Sequence, residues 1–341
     1  MTSILREFLV MTRVSTINIM KIKFIHSVNS KDVLMFERLC QPNSCFFSDS
    51  EAFINSYVFD IRRSAFCFND NRTIFFLNKF NRDTYFFCCP KGINWQDKMF
   101  DSIIKIKEKM EKRLKKVWIW ELPDLVDNNY LCNKKFNSVT HTISKRYISY
   151  LPDYKDTEQF LKRKGTGKIR EKWNSFFNSL YKQNNNIQIV CESLTKDNYK
   201  DSLKILNQWR AYTKKNELAN NKIISREHIF KKDLRMIKDV LKKPKLYESL
   251  VLYYDDIPFG VNIAFKLCKT RNLSSSVFCA SRIIPGTSEV LRLLFFEKLA
   301  KKGYQYCNWG NSYLSSIDSY KQKFKPTVSE NSYEYIIDFK D

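Results

Sequence analysis

The spacing of apolar residues changes several times along the chain, and each change predicts an element. Two β-rich runs, 73–77 and 84–89, flank the polar stretch 78–83, the pattern of a hairpin. Met99, Ile103, Ile106, Met110 and Leu114 then recur at helical spacing within 95–115 and predict one amphipathic helix. Residues 117–122 return to a strand pattern that Pro123 stops. Strand, helix, strand predicts a parallel crossover with the helix packed on the sheet. The second half repeats this grammar. Runs 249–254 and 259–268 flank the turn Asp255-Asp256-Ile257-Pro258, 273–281 adds a strand, a helix covers 290–299, and 304–308 closes the crossover.

Between these halves, 127–144 is polar and reads as a linker, and helices dominate from there to about residue 242. Ile169, Trp173, Phe176 or Phe177, and Leu180 form an apolar stripe that leaves Lys168 and Lys172 on another face. Trp173 and Trp209, at helical spacing with Leu180, Leu203 and Leu206, read as core rather than as base-stacking platforms. The division expected is an extension over 1–20, a first lobe over 21–126, the linker over 127–144 and a second lobe over 145–341. The fold class is α/β (α+β), each lobe a mixed sheet with packed helices. The first strand signal is Lys21-Ile22-Lys23-Phe24-Ile25.

Composition narrows the chemistry. With 341 residues and 43% apolar content, the chain has material for one large or two medium cores. A formal charge of +23 predicts a polyanionic partner, either RNA, an anionic lipid surface or a phosphate-rich cofactor, against the alternative of a lysine-rich solvated surface. The 10 cysteines are scattered, no Cys-x-x-Cys pair occurs, and Cys40 and Cys45 have no matching second pair. They read as reduced thiols of a cytoplasmic protein, and no metal site is expected. His26, His141 and His228 are isolated, which leaves little support for a histidine triad. No apolar run reaches the ~18 residues of a spanning helix.

Two segments carry a resemblance. Asn308-Trp309-Gly310-Asn311-Ser312, a short helix, and then Tyr320-Lys321-Gln322-Lys323-Phe324-Lys325-Pro326 resemble the C-terminal end of the phosphatidylglycerol lysyltransferase catalytic domain, and more loosely the Fem-type aminoacyl transferases. Lys164-Gly165-Thr166-Gly167-Lys168-Ile169-Arg170-Glu171-Lys172-Trp173-Asn174 is similar to the basic signature that opens the second lobe in those relatives. The resemblance implies tandem lobes related to the GNAT-type N-acetyltransferases. It also implies an acyl-group transferase whose first lobe is degenerate and whose second, over 145–341, is catalytic and grips its donor where 273–281 and 304–308 splay apart.

On that reading Asn262, Asn308, Asn311, Tyr320 and Lys321 orient the acceptor or stabilise the oxyanion, and each is equally able to serve as a structural hydrogen-bonder. Replacing Asn311 or Lys321 is expected to lower transfer without unfolding the protein. Arg282, Gly286, Thr287 and Ser288 precede a helix whose free N–H groups suit a phosphate, although Arg282-Ile283-Ile284-Pro285-Gly286-Thr287-Ser288 fits the acyl-CoA signature only in part. Lys162, Arg163, Lys168, Arg170 and Lys172 cluster at a glycine-broken helix entry, where positive charge opposes the macrodipole and a bound anion relieves it. The donor expected is aminoacyl-tRNA, with acyl-CoA as the alternative. No tightly bound cofactor is expected, and the acceptor is a small molecule, lipid or peptide carrying an amine or hydroxyl. A noncatalytic protein binding RNA or an anionic surface is the reading from another class.

Overall fold

A computed structural model of the chain describes residues 21–24, 66–69, 73–79, 84–92, 99–101, 103–104, 107–108, 114–122, 125–132, 135–182, 188–219, 227–267, 270–281, 283–312 and 314–340. The expected extension over 1–20 lies outside them.

In chain order the elements are β1 (Lys21–Phe24), β2 (Phe66–Asn69), β3 (Thr73–Lys79), β4 (Thr84–Gly92), β5 (Lys116–Leu122), α1 (Asn128–Leu131), β6 (Phe136–Tyr150), α2 (Thr157–Lys162), α3 (Gly167–Tyr181), β7 (Ile189–Glu192), α4 (Tyr199–Ala219), α5 (Glu227–Lys242), β8 (Tyr247–Tyr254), β9 (Ile257–Lys266), β10 (Asn272–Ala280), α6 (Thr287–Lys301), β11 (Tyr306–Ser312), α7 (Ser315–Gln322) and β12 (Val328–Phe339). Residues 99–101, 103–104 and 107–108 are helical, and Met99, Ile103 and Leu114 of the predicted stripe are buried. Ile106 and Met110 lie outside the described residues.

The fold is mixed α/β. β1 and β2 pair on their own, while ten strands form one sheet in the order β3-β4-β5-β12-β6-β11-β10-β9-β8-β7. β4 runs parallel to β5 and β10 parallel to β11, and the other neighbours are antiparallel. Both crossovers read from the sequence are therefore present. They do not stand in two separate sheets. β6 pairs with β11 on one side and β12 on the other, and β12 returns from the end of the chain to pair with β5. The segment 127–144, expected as a linker, holds α1 and much of β6. Its polar composition reflects exposure, since most of 137–143 faces solvent while 146–149 is buried.

The far half of the sheet is covered on both faces, which explains the nearly unbroken apolar runs of β8 and β9. Val251, Val261, Ile263, Phe265, Val277 and Cys279 meet Ile205, Leu206, Met236, Ile237 and Val240 of α4 and α5. Leu250, Leu252, Phe259, Ala264 and Leu273 meet Val290, Leu291, Phe295 and Leu299 of α6, with α3 beyond. A Cβ added to Gly260 would lie 3.0 Å from the Leu291 side chain, so this glycine lets α6 seat closely on β9. The β8–β9 connection is tighter than expected. Only Asp255 and Asp256 form it, at φ 42° and 62°, and the strand resumes at Ile257.

Candidate active site

The two parallel strands of the second crossover part almost as soon as they meet. β10 and β11 pair at Asn272↔Tyr306, Leu273↔Cys307 and Ser274↔Asn308, and there the ladder stops although β10 continues to Ala280 and β11 to Ser312. An irregularity accompanies the parting on each strand. β10 has a bulge between Ser275 and Val277 against β9, and β11 shifts register between Asn308 and Asn311 against β6. Backbone groups on the facing edges beyond this point have no ladder partner across the gap, which suits them to a ligand.

The β11 irregularity is held from within. Asn308 Oδ1 accepts from the Gly310 N–H at 2.7 Å, Gly310 sits at φ 76°, and Lys321 Nζ donates to the carbonyls of Gly310 at 2.6 Å and Asn311 at 3.1 Å. Lys321 is buried and sits beside the Tyr147 ring. Its ammonium therefore braces the strand irregularity, a structural contact that accounts for the residue without a substrate. Asn311 Nδ2 donates to Ser332 Oγ at 3.1 Å, joining β11 to β12.

Three side-chain donors gather on the α6 face of the parting. Arg292, only 4% exposed, sends Nη1 to Ser275 Oγ at 2.9 Å, and Ser275 Oγ donates to Asn262 Oδ1 at 3.3 Å. Arg292 Cζ lies 4.1 Å from the Phe278 ring centroid on β10 and 5.4 Å from the Trp309 centroid on β11, so the guanidinium spans the gap between the strands. Burial lowers its pKa from the ordinary arginine value, and the adjacent Tyr320 hydroxyl acts in the opposite sense. Arg292 Nε, Asn262 Nδ2 and Trp309 Nε1 are all buried without a hydrogen-bond partner. All three are donors, and burying unsatisfied donors costs free energy that an acceptor atom would recover. Arg292 was not foreseen. Its signal was an arginine inside the apolar stretch Val290-Leu291-Arg292-Leu293-Leu294.

Tyr320 closes this face. Its hydroxyl donates to the Ser288 carbonyl at 3.0 Å, and its ring packs against Phe324 and lies 6.3 Å from Phe278. The structure thus brings Asn262, Trp309 and Tyr320 together around Arg292. Asn308 belongs to the opposite side of β11, by strand alternation from the core residue Trp309.

A second unforeseen residue lies on that opposite side. Asp233 of α5 is 4% exposed and shares the buried face of its helix with Met236, Ile237 and Val240. Met236 Sδ accepts from Ser276 Oγ at 2.8 Å, which fixes this part of α5 over the β10 bulge. Burial raises the Asp233 carboxyl to about 6, with Lys232 pulling it down. Its field in turn helps to hold the Cys279 thiol of β10 well above the ordinary range, after burial itself. The sequence signal was an acid on the apolar stripe of an amphipathic helix.

The phosphate-binding expectation at α6 meets a closed helix start. Gly286 has φ 85° and takes the N-cap, but a Cβ there would lie 2.1 Å from the Lys172 carbonyl oxygen, so α3 presses directly on it. Thr287, Ser288 and Glu289 are buried, and Glu289 pairs with Lys323 at 3.5 Å. A carboxylate in a covered first turn opposes a pyrophosphate there. Arg282 lies outside the described residues.

The basic entry to α3 is open. Lys162, Lys164 and Lys168 are exposed, with no ion pair among the described residues. Arg163 pairs with Asp153 at 3.2 Å, Arg170 donates to the Leu161 carbonyl at 3.3 Å, and Lys172 pairs with its neighbour Glu171 at 3.3 Å. A Cβ at Gly165, where φ is 87°, would meet Lys325 Cε at 2.8 Å and Nζ at 3.1 Å. The two basic segments singled out in the sequence therefore touch. Among the described residues no group of His, Cys, Asp and Glu is arranged to hold a metal, and no helix is long and apolar enough to cross a membrane.

No protein-family model matches the chain, and no curated protein matches its sequence. Solved structures do match its fold. A conserved protein of unknown function from Bacteroides thetaiotaomicron superposes with a TM-score of 0.65 at 13% identity, over 94% of this chain and 100% of its own. The C-terminal domain of a putative lysylphosphatidylglycerol synthetase from Agrobacterium fabrum gives 0.56 at 11% identity, over 91% and 92%. A tandem GNAT protein from the clavulanic acid biosynthesis pathway gives 0.51 at 6% identity, over 93% and 98%. The chain has the fold of these proteins, and the resemblance read from its two segments agrees with it.

Proposed function

We propose that this protein is an acyl-group transferase that moves an aminoacyl group from aminoacyl-tRNA to an amine or hydroxyl acceptor, with the reaction at the parting of β10 and β11. The observation that carries the reading is the set of buried donors there without acceptors, Asn262 Nδ2, Arg292 Nε and Trp309 Nε1. An ester carbonyl seated between the strands supplies the missing acceptor, and its oxygen gains negative charge as the acceptor attacks. Donors fixed in advance in a buried setting favour that charge more than they favour the ground state. The remaining contribution is proximity of the two reactants.

Two features favour aminoacyl-tRNA over acyl-CoA as donor. The start of α6 is covered by α3 and carries Glu289, which disfavours a pyrophosphate. Lys162, Lys164, Lys168 and Lys325 present a solvent-facing cationic surface suited to a nucleic-acid backbone. The test is label transfer. Purified protein is incubated with a labelled aminoacyl-tRNA pool and, separately, a labelled acyl-CoA pool, each with a small-molecule extract as acceptor source. Label leaving tRNA for a new product supports the reading, and transfer from acyl-CoA alone reverses the donor. Transfer from neither, with salt-sensitive RNA binding retained, replaces it with a noncatalytic RNA-binding role.

A further inference from the structure

We infer that Asp233 is the proton acceptor for the attacking group, and that the acceptor is an amine that arrives as an ammonium ion at the α5 face of the parted strands. The inference rests on the transferase reading above and adds a catalytic residue and an acceptor class to it.

Asp233 lies on the inward face of α5, one turn before Met236, which meets Ser276 at the β10 bulge. The carboxylate acts on Cys279, further along β10, where that strand no longer pairs with β11. The donors of Asn262, Arg292 and Trp309 occupy the other side of the same gap. A carbonyl between the strands would therefore have hydrogen-bond donors on one side and a carboxylate on the other, the arrangement that addition of a nucleophile requires.

Asp233 is also without a full partner. Oδ1 is buried with no well-aligned hydrogen bond, and Lys232 Nζ, 3.4 Å away, offsets the cost of burying the charge only in part. β10 presents the Cys279 thiol to it, which burial and the Asp233 charge hold in its neutral form. A buried carboxylate with an unfilled oxygen attracts a cation, and an ammonium ion can both pair with it and give it a proton.

The carboxylate takes one proton from the ammonium, and the freed amine lone pair forms the C–N bond to the ester carbonyl carbon. The tetrahedral adduct collapses with cleavage of the C–O bond to the tRNA hydroxyl. One of the two protons left on nitrogen passes to that leaving oxygen, the other stays on the product amide, and Asp233 returns its own proton to solvent.

The test uses the full chain, labelled aminoacyl-tRNA and methylamine as the probe acceptor. For the wild type, kcat/KM should fall on the acid side with an inflection near pH 6. Asp233→Asn should lose at least ~100-fold and lose the inflection, Asp233→Glu should restore part of both, and tRNA affinity should be unchanged in each. A second readout does not require transfer. Methylammonium should move the Asp233 carboxyl carbon resonance in the wild-type protein, while tetramethylammonium, which has no proton to give, should leave its titration unaltered. Wild-type rate and pH profile in Asp233→Asn overturn the inference, as does a carboxyl resonance indifferent to methylammonium. Absence of wild-type transfer with a responsive carboxyl overturns the transferase reading and leaves the amine site standing.

Discussion

Replacing Asp233 by Asn should make the protein more stable at neutral pH. The carboxyl titrates at about 6 in the fold, mainly because burial penalises its charge, against 3.8 for the free side chain. Below 3.8 the group is protonated in both states and contributes nothing to pH dependence. Between 3.8 and 6 the unfolded chain has released the proton while the fold retains it, so stability falls as pH rises. Above 6 the penalty is complete. A difference of about two pKa units corresponds to ~3 kcal/mol, an upper figure for a site that can relax or admit water. Asparagine keeps the shape and removes the charge. Urea unfolding of wild type and variant at pH 4.5, 6 and 7.5 should show their difference growing from about 1 to ~2–3 kcal/mol in favour of the variant. Equal stability at all three values, or a variant weaker at pH 7.5, would refute the claim that Asp233 is held ionised at a cost.

Other predictions concern the groups that shape the site. Lys321→Met removes the donor to the Gly310 and Asn311 carbonyls and should lower stability by about 2–3 kcal/mol in denaturant titration; a variant that is fully stable but inactive would restore Lys321 to a substrate role. Gly286→Ala places a Cβ 2.1 Å from the Lys172 oxygen at φ 85°, so a large fall in melting temperature or loss of soluble protein is expected, and a melting temperature within a degree or two of wild type would contradict the α3–α6 contact. Changing Lys162, Lys164 and Lys168 together to Ala should weaken tRNA binding and make its salt dependence shallower by roughly two in slope, with little change in melting temperature, whereas unchanged binding would mark these residues as an ordinary solvated surface.

The crossover that builds the site was legible because strand, helix and strand have distinct periods, and a parallel pair joined by a helix has one common hand. The facing of individual side chains was not. The bulge between Ser275 and Val277 resets the alternation of β10, so Ser275 and Phe278 share the α6 face and Val277 and Cys279 share the other. The sheet order escaped for another reason. β6 and β12 pair over long sequence separations, which no local pattern records. The polar run 127–144 read as a linker because an exposed strand and a loop have similar composition. Arg292 and Asp233 each stand within an apolar helical stripe, where a single charge carries less weight than the period around it. The sequence leaves Lys321 open between orienting the acceptor and a structural hydrogen bond, and its burial on two carbonyls becomes visible only with the β11 irregularity in place.

The central claim is that an acyl carbonyl sits between β10 and β11 with its oxygen toward the donors on the α6 face. A crystal structure with a non-hydrolysable aminoacyl-nucleotide amide, the 3′-end of the proposed donor, tests it most directly. The account predicts the carbonyl oxygen within hydrogen-bond distance of Asn262 Nδ2 or Arg292 Nε and the nucleotide directed toward Lys164 and Lys325. An analogue bound with its carbonyl away from the gap between β10 and β11, or on a surface remote from both strands, would contradict it.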